Sequence, residues 1–193
     1  MKIVSTIEAR MTSKRLPGKV LLCAGEKPLL ETLVDRLRLA SSIDEIVLAT
    51  TINAADDCLV QLAKRLGIFY YRGSEDDVMG RVIKAADSRM ADVVVEITGD
   101  CPLIDPWLVE QCIQTFKANS AEYVSNNHIR TYPDGMDVQV FRLDTLKTSA
   151  SMTSEQLDHE HVTLYIRNNP DLFSQIHLHA PPNLHCPELG LTL

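Results

Sequence analysis

No stretch of the chain approaches the eighteen or so consecutive apolar residues that a membrane-crossing helix needs. The opening, "MKIVSTIEAR", carries acid and base within ten positions instead of the sustained apolar stretch of a secretory signal. Five cysteines (Cys23, Cys58, Cys101, Cys112, Cys186) are odd in number, scattered and never spaced C-x-x-C. That usage argues against a disulfide framework or a strong zinc motif and predicts free thiols in a cytoplasmic protein. Positive charge is short as well: the formal net charge is −7, which excludes a general binder of nucleic acid or anionic membrane. Neither G-x-x-x-x-G-K-[ST] nor G-x-G-x-x-G occurs, so the two commonest phosphate-cradling loops are out. Without repeats, low-complexity tracts or a linker, the 193 residues read as one domain spanning 1–193.

What is present is an alternation. Short apolar runs at 2–7, 45–50, 68–71, 92–98, 122–125 and 137–141 predict strands, several apolar on consecutive positions as in a buried, mostly parallel sheet. Between them, 28–40 places Leu29, Leu33, Leu37 and the Leu30/Val34 pair on one helical face. Segment 54–66 has acids in its first turn, bases in its last and Gly67 as a stop, and 76–90, 106–118 and 155–168 also predict helices. Strand–helix alternation of this kind implies an α/β sandwich with right-handed crossovers. Ligands of such sheets bind outside the carboxyl ends of the strands. The loops at 8–20, 51–54, 72–78, 99–106 and 126–137 are therefore where chemistry is expected.

The first of these loops is the anomaly. "ARMTSKRLPGKVL" (9–21) holds Arg10, Lys14, Arg15 and Lys19 and no acid, in an otherwise acidic chain. A loop after a first strand can turn N–H groups and cations toward phosphate oxygens. The basic loop points to one small anionic ligand and not to a polymer.

That loop resembles the signature loop of sugar-activating cytidylyltransferases of the spore-coat polysaccharide biosynthesis protein F type, with CMP-Kdo and CMP-sialic acid synthetases as more distant relatives. The resemblance continues through "YRGSEDDVMGRVIKAA" (71–86), "EITGDCPLIDP" (96–106), "YPDGMDVQVF" (132–141) and "EHVTLYIRNNP" (160–170). It implies a Rossmann-like, GT-A-like nucleotide-diphospho-sugar transferase fold, a three-layer α/β/α sandwich on a mixed, mostly parallel sheet. The implied reaction transfers CMP from CTP to an acidic sugar and releases pyrophosphate. It also implies Mg²⁺ as cofactor and a homodimer as the assembly.

By the same resemblance, Arg10, Lys14, Arg15 and Lys19 hold the triphosphate, with Arg10 and Lys19 matching the motif best. Arg72, Ser74, Asp77 and Arg81 border the base and ribose, while Asp76 and Asp77 also read as an acidic first turn on a helix dipole. Asp100, after the most apolar strand, is the metal carboxylate, suited to an ion that takes few carboxylates plus phosphates and water. Asp105 before Pro106 reads as a helix cap. Asp134, Asp137, Glu160 and His161 face the sugar, although Asp134-Gly135 is also a plain turn signal.

The match departs at two loop positions, where threonine stands at 12 for an expected glycine and glutamate at 8 for an expected glutamine. A carboxylate beside a triphosphate calls for a metal or for pairing with Arg10. The closing "ELGLTL" resembles the strand that, in relatives, leads into an Asp-containing segment and a terminal helix. The expectation is a chain without that second metal carboxylate, and with impaired activity. Rival readings are a GT-A glycosyltransferase, disfavoured by the missing D-x-D, a nucleotide-binding subunit, and a metal protein using His159/His161, His177/His179 and His185/Cys186.

Overall fold

The computed structural model describes residues 1–13 and 15–193, so the candidate Lys14 lies outside the described residues. Its frame is a sheet built from β1 (Ile3–Glu8), β4 (Glu45–Thr51), β5 (Phe69–Gly73), β6 (Val93–Thr98), β7 (Tyr123–Ser125), β8 (Gln139–Arg142) and β9 (Gln175–His177). The strand order is β5-β4-β1-β6-β8-β7-β9. Neighbours β5, β4, β1 and β6 run parallel, β8 is antiparallel to both β6 and β7, and β9 is parallel to β7. This is the mixed, mostly parallel sheet expected. A small ribbon of β2 (Cys23–Ala24) and β3 (Lys27–Pro28) stands apart from it.

Alternation along the strands sends residues to opposite faces, and each face has its own layer of helices. On one face Ile3, Ile7, Leu48, Val95, Ile97 and Val140 pack under α1 (Leu29–Leu37), α2 (Asp57–Leu66) and α4 (Pro106–Ala118). Leu30, Leu33, Val34 and Leu37 of α1 are fully buried there, worth about 1.5–3 kcal/mol per side chain. On the other face Val4, Val47, Val94, Tyr123 and Phe141 pack under α3 (Val78–Asp87), α5 (Leu143–Met152) and α7 (Leu164–Asn168).

Differences from expectation have local causes. The expected helix at 155–168 is two short ones, α6 (Gln156–Glu160) and α7. Between them Val162 adopts φ +45°, and the Thr163 N–H donates to His161 O across it. A β-branched residue in that region is strained by about 1–3 kcal/mol, held here because Val162 is buried. Asp105 caps α4, its side chain accepting from Trp107 N at 2.9 Å with Pro106 in the first turn. The closing segment forms an isolated bridge, Asp134 to Gly190, in place of a strand.

Candidate active site

At the carboxyl ends of the central strands lies an open cavity of about 570 Å³, within the range of small-ligand sites. Its floor is sequence-encoded. On the α3/α5/α7 face of the sheet the strands begin apolar and end polar: Val4 is followed by Thr6 and Glu8, Val94 by Glu96 and Thr98, and Phe141 is preceded by Gln139. Thr6 pairs with Glu96, Glu8 with Thr98, and Glu96 with Gln139 in the strand register, so these side chains form one polar surface.

The basic loop is tied over one side of that floor. Buried Asp56 accepts from Met11 N at 2.7 Å, and also from Thr50 Oγ1 and from Thr51 N. Glu75 accepts from Arg10 Nη1 at 3.1 Å, from Asn53 Nδ2 at 2.5 Å and from the Thr12 hydroxyl. The Thr12 hydrogen bond leads the interactions that hold Glu75 below the usual carboxylate range. Thr12 is therefore a brace, with no positive φ to strain it. Gly18, at φ +72°, turns the chain into the 3-10 turn Lys19–Leu21.

Lys19 is the centre of charge. Its ammonium, almost fully buried, donates to Asp100 Oδ2 and to Leu193 O, each at 2.5 Å. Asp100 sits in the turn after β6, held by Cys101 N to Thr98 O at 3.2 Å, Ile104 N to Cys101 O at 3.2 Å and Arg36 Nε to Ile104 O at 2.6 Å. Gly99 starts this turn against β1; a Cβ there would stand 2.8 Å from both Glu8 O and Ala9 Cβ, so only glycine fits. Burial pushes the neighbouring Cys101 thiol up to about 12, leaving it inert.

Of the residues singled out from sequence, Arg10, Arg15, Lys19, Arg81, Asp100, Asp137, Glu160 and His161 line this one cavity. Arg81 is buried and donates to Ala49 O at 3.3 Å, to Ser74 O and to Glu75 O, so it braces the 74–75 turn as well as facing the cavity. Burial raises the Asp137 carboxyl above its ordinary value, with Arg130 opposing.

Arg72, Ser74, Asp77 and Asp134 are not among the lining residues. Arg72 is spent on Thr51 O, Asn53 O and Asp57, and Ser74 Oγ accepts from the N–H groups of Asp76 and Asp77. Asp77 caps α3 by accepting from Gly80 N at 2.8 Å, and its Oδ1 lies 2.8 Å from His159 Nδ1. Burial would raise the Asp77 pKa, but the hydrogen bonds from His159 and Gly80 N outweigh it and lower it; the same contact with Asp77 raises His159. Asp134 pairs with Arg130 at 2.8 Å.

Among the lining residues that went unread in the sequence are Glu96, Asn127, Gln139 and Arg167. A signal existed in the lone acid within "VVVEIT" and the polar centre of "DVQVF". Gln139 is oriented by Tyr123 OH at 2.6 Å and Thr163 Oγ1 at 2.5 Å, both onto Oε1, and donates from Nε2 to Glu96 Oε2 at 2.6 Å. Burial brings Glu96 up to about 7, with Arg167 opposing. Glu8 is raised well above its ordinary value by burial and then by the charge of Glu96, with Arg81 opposing. Arg10, which could have paired with Glu8, pairs with Glu75 instead.

Three cations of one loop, Arg10, Arg15 and Lys19, meet Asp100 at one side of this cavity, an arrangement that suits a multiply charged phosphate ester with a hard metal ion. Asp100 is the residue that could hold such an ion. Among the described residues, no three His, Cys, Asp or Glu side chains are grouped to hold a metal ion. Also among the described residues, no helix is long and apolar enough to cross a membrane.

Comparison with known proteins gives the family. The chain is 36% identical to the spore coat polysaccharide biosynthesis protein SpsF of Bacillus subtilis, across 99% of this chain and 80% of that protein. A cytidylyltransferase structure from Leptospira borgpetersenii superposes with a TM-score of 0.95 at 32% identity, covering 100% of this chain and 81% of the other. A CMP:2-keto-3-deoxy-manno-octonic acid synthetase, solved in complex with CTP, shares the fold at a TM-score of 0.71 and 18% identity, over 93% and 91% of the two chains. The family model described as cytidylyltransferase matches residues 4–185, a span that takes in the basic loop, the Asp100 turn and the polar floor between them. The chain belongs to the cytidylyltransferase family.

Proposed function

We propose that the chain transfers CMP from CTP to an acidic sugar, with release of pyrophosphate, as a cytoplasmic step in surface polysaccharide assembly. The observation that carries this reading is the meeting of Arg10, Arg15, Lys19 and Asp100 in one cavity. The family relationship and five free thiols, as a reducing compartment maintains, support it.

In the proposed reaction a sugar hydroxyl oxygen attacks the α-phosphorus of CTP, giving up its proton to water, while the bond to the pyrophosphate oxygen breaks in line and pyrophosphate leaves. Arg10, Arg15 and Lys19 neutralise the triphosphate and the departing pyrophosphate, and their fixed placement removes reorganisation from the barrier. Mg²⁺, held by Asp100 and by phosphate oxygens, would supply further charge neutralisation at the phosphates. Asp100, paired with Lys19 at 2.5 Å, would be the residue that holds the metal, and Lys19 would neutralise phosphate oxygens beside it. Arg81 and the turn braced by Arg72, Ser74 and Asp77 border the nucleoside. Asp137, Glu160, His161 and Arg167 face the sugar.

The experiment is pyrophosphate release from CTP with a panel of 2-keto sugar acids, with and without Mg²⁺. The reading expects metal-dependent release with at least one acid, CTP preferred over UTP and ATP. Equal turnover of all three nucleotides, or release without any acceptor, would contradict it.

A further inference from the structure

Glu160, His161 and Val162 line the cavity on a segment that needs outside support. The helix before them, α6, is five residues long and buries only Asp158, and so short a helix is not stable on its own. Val162 is buried, but Glu160 and His161 are exposed, and Val162 sits in the left-handed region, where a β-branched residue relaxes unless its surroundings restrain it. The restraint comes from the residues on either side of these three. Thr163 Oγ1 donates to Gln139 Oε1 at 2.5 Å on the sheet, and His159 Nδ1 lies 2.8 Å from Asp77 Oδ1 at the start of α3. Gln156 Nε2 adds a hydrogen bond to Asp76 O at 3.0 Å.

The Asp77 end of this contact belongs to a turn that also serves the basic loop. Asp77 accepts from Gly80 N at 2.8 Å, Arg81 donates to Ser74 O and Glu75 O, and Glu75 takes Arg10 Nη1 at 3.1 Å. The 74–77 turn is thus tied to Arg10 on one side and to the segment carrying Glu160 and His161 on the other. The hydrogen bond with Asp77 raises the His159 imidazole above its ordinary 6.5. Burial acts to raise Asp77, and the hydrogen bonds from His159 and Gly80 N outweigh it. The charged groups about this contact are Asp77 and Lys84 from α3 and its cap, and Asp158 from α6 itself. The other helix packed on α6 is α7, whose Arg167 lines the cavity.

Resting on the cytidylyltransferase reading, we propose that His159 is a positioning residue: its contact with Asp77 latches the segment carrying Glu160 and His161 to the 74–77 turn, and so sets the acceptor side of the cavity. His159 is not itself among the lining residues, so it acts through its neighbours. A protonated imidazole makes a stronger hydrogen bond to a carboxylate than a neutral one does. The latch is therefore tightest where Asp77 is ionised and His159 protonated, and it loosens as pH rises through the raised imidazole value.

The test compares wild type, His159→Ala and His159→Asn, the last keeping an N–H donor that does not titrate. Amide hydrogen exchange of 156–163, corrected for the intrinsic effect of pH, is followed across the His159 titration, itself read by NMR. KM for CTP and for whichever 2-keto sugar acid turns over fastest is measured by pyrophosphate release over the same range. In the wild type, exchange of this segment, and not of α3, should quicken as the imidazole loses its proton, with the acceptor KM rising in step. His159→Ala should exchange quickly at every pH and raise the acceptor KM about two- to fivefold, with KM for CTP unchanged. His159→Asn should remove the pH step in both readouts. Exchange that is the same in wild type and His159→Ala at every pH, or equal changes in the two KM values, overturns the latch. No turnover of any sugar acid by the wild type sinks the cytidylyltransferase reading and the acceptor role with it; the exchange comparison, which needs no substrate, still decides the latch.

Discussion

The two faces of the central sheet are made from the same strands and differ in one respect. Under α1, α2 and α4 the face is mostly apolar, with Ile7, Leu48, Val95 and Ile97 fully buried or nearly so and only the small hydroxyls of Ser5 and Thr50 among them. Under α3, α5 and α7 it is apolar only at its beginning, where Val4, Val94 and Phe141 pack, and then turns to Thr6, Glu8, Glu96, Thr98 and Gln139. The first face is built for stability and the second gives some of it up to hold a charged ligand. Alternation along a strand is what permits this, since neighbouring residues in one strand serve opposite faces.

Breaking the polar half should show first in chemistry. Asp100→Asn or Arg10→Ala is expected to lower cytidylyl transfer by about 10²–10³-fold. Arg10 and Glu75 are both about one-third exposed (33% and 31%), so Arg10→Ala should cost no more than about 1 kcal/mol in urea denaturation. The reverse experiment is on the other face. Leu33→Ala removes a fully buried α1 side chain and should cost about 2–5 kcal/mol, with CTP affinity unchanged well below the unfolding midpoint.

The pH dependence of stability sharpens the contrast. Burial raises Glu96 from 4.5 to about 7 in the folded chain. Its contribution is full below the unfolded value and is lost as pH rises through the folded one. Melting temperature should therefore fall between about pH 5 and pH 7, by the equivalent of on the order of 3 kcal/mol, with Glu8 adding in the same direction. Glu96→Gln should flatten that slope, while no substitution of an apolar residue on the opposite face should. The smallest effect is expected at Asp77, the cap of α3: Asp77→Ala should cost about 1 kcal/mol, seen as a lower urea midpoint.

These two faces were unequally legible in the sequence. Periodicity alone exposed α4 at its observed bounds, Pro106–Ala118, and placed β1, β4, β5, β6, β7 and β8 in order, because long apolar runs and caps are local signals. Helix α5 was missed because its buried side mixes Thr145 and Ser149 with Leu143 and Leu146, which blurs an apolar stripe. β9 was missed because its three residues, Gln175–His177, hold one apolar side chain between two polar ones. In the site, charges on loops stood out: Arg10, Arg15, Lys19 and Asp100 were found where the strands end. The floor did not, since Glu96 and Gln139 sit inside apolar strands and acquire meaning only through the register with Thr6 and Glu8. Arg72 and Asp77 were assigned to the nucleoside by resemblance, yet a shared motif does not reveal whether a side chain faces a ligand or is spent on a carbonyl or a helix cap.

The most direct test of the account is calorimetric titration of CTP with and without Mg²⁺, on the wild type, Asp100→Asn and Leu33→Ala. The account predicts metal-dependent binding by the wild type, its loss in Asp100→Asn, and its retention in Leu33→Ala despite lowered stability. Binding that is indifferent to metal and to Asp100, or lost in Leu33→Ala while that variant is still folded, would contradict the division of labour between the faces.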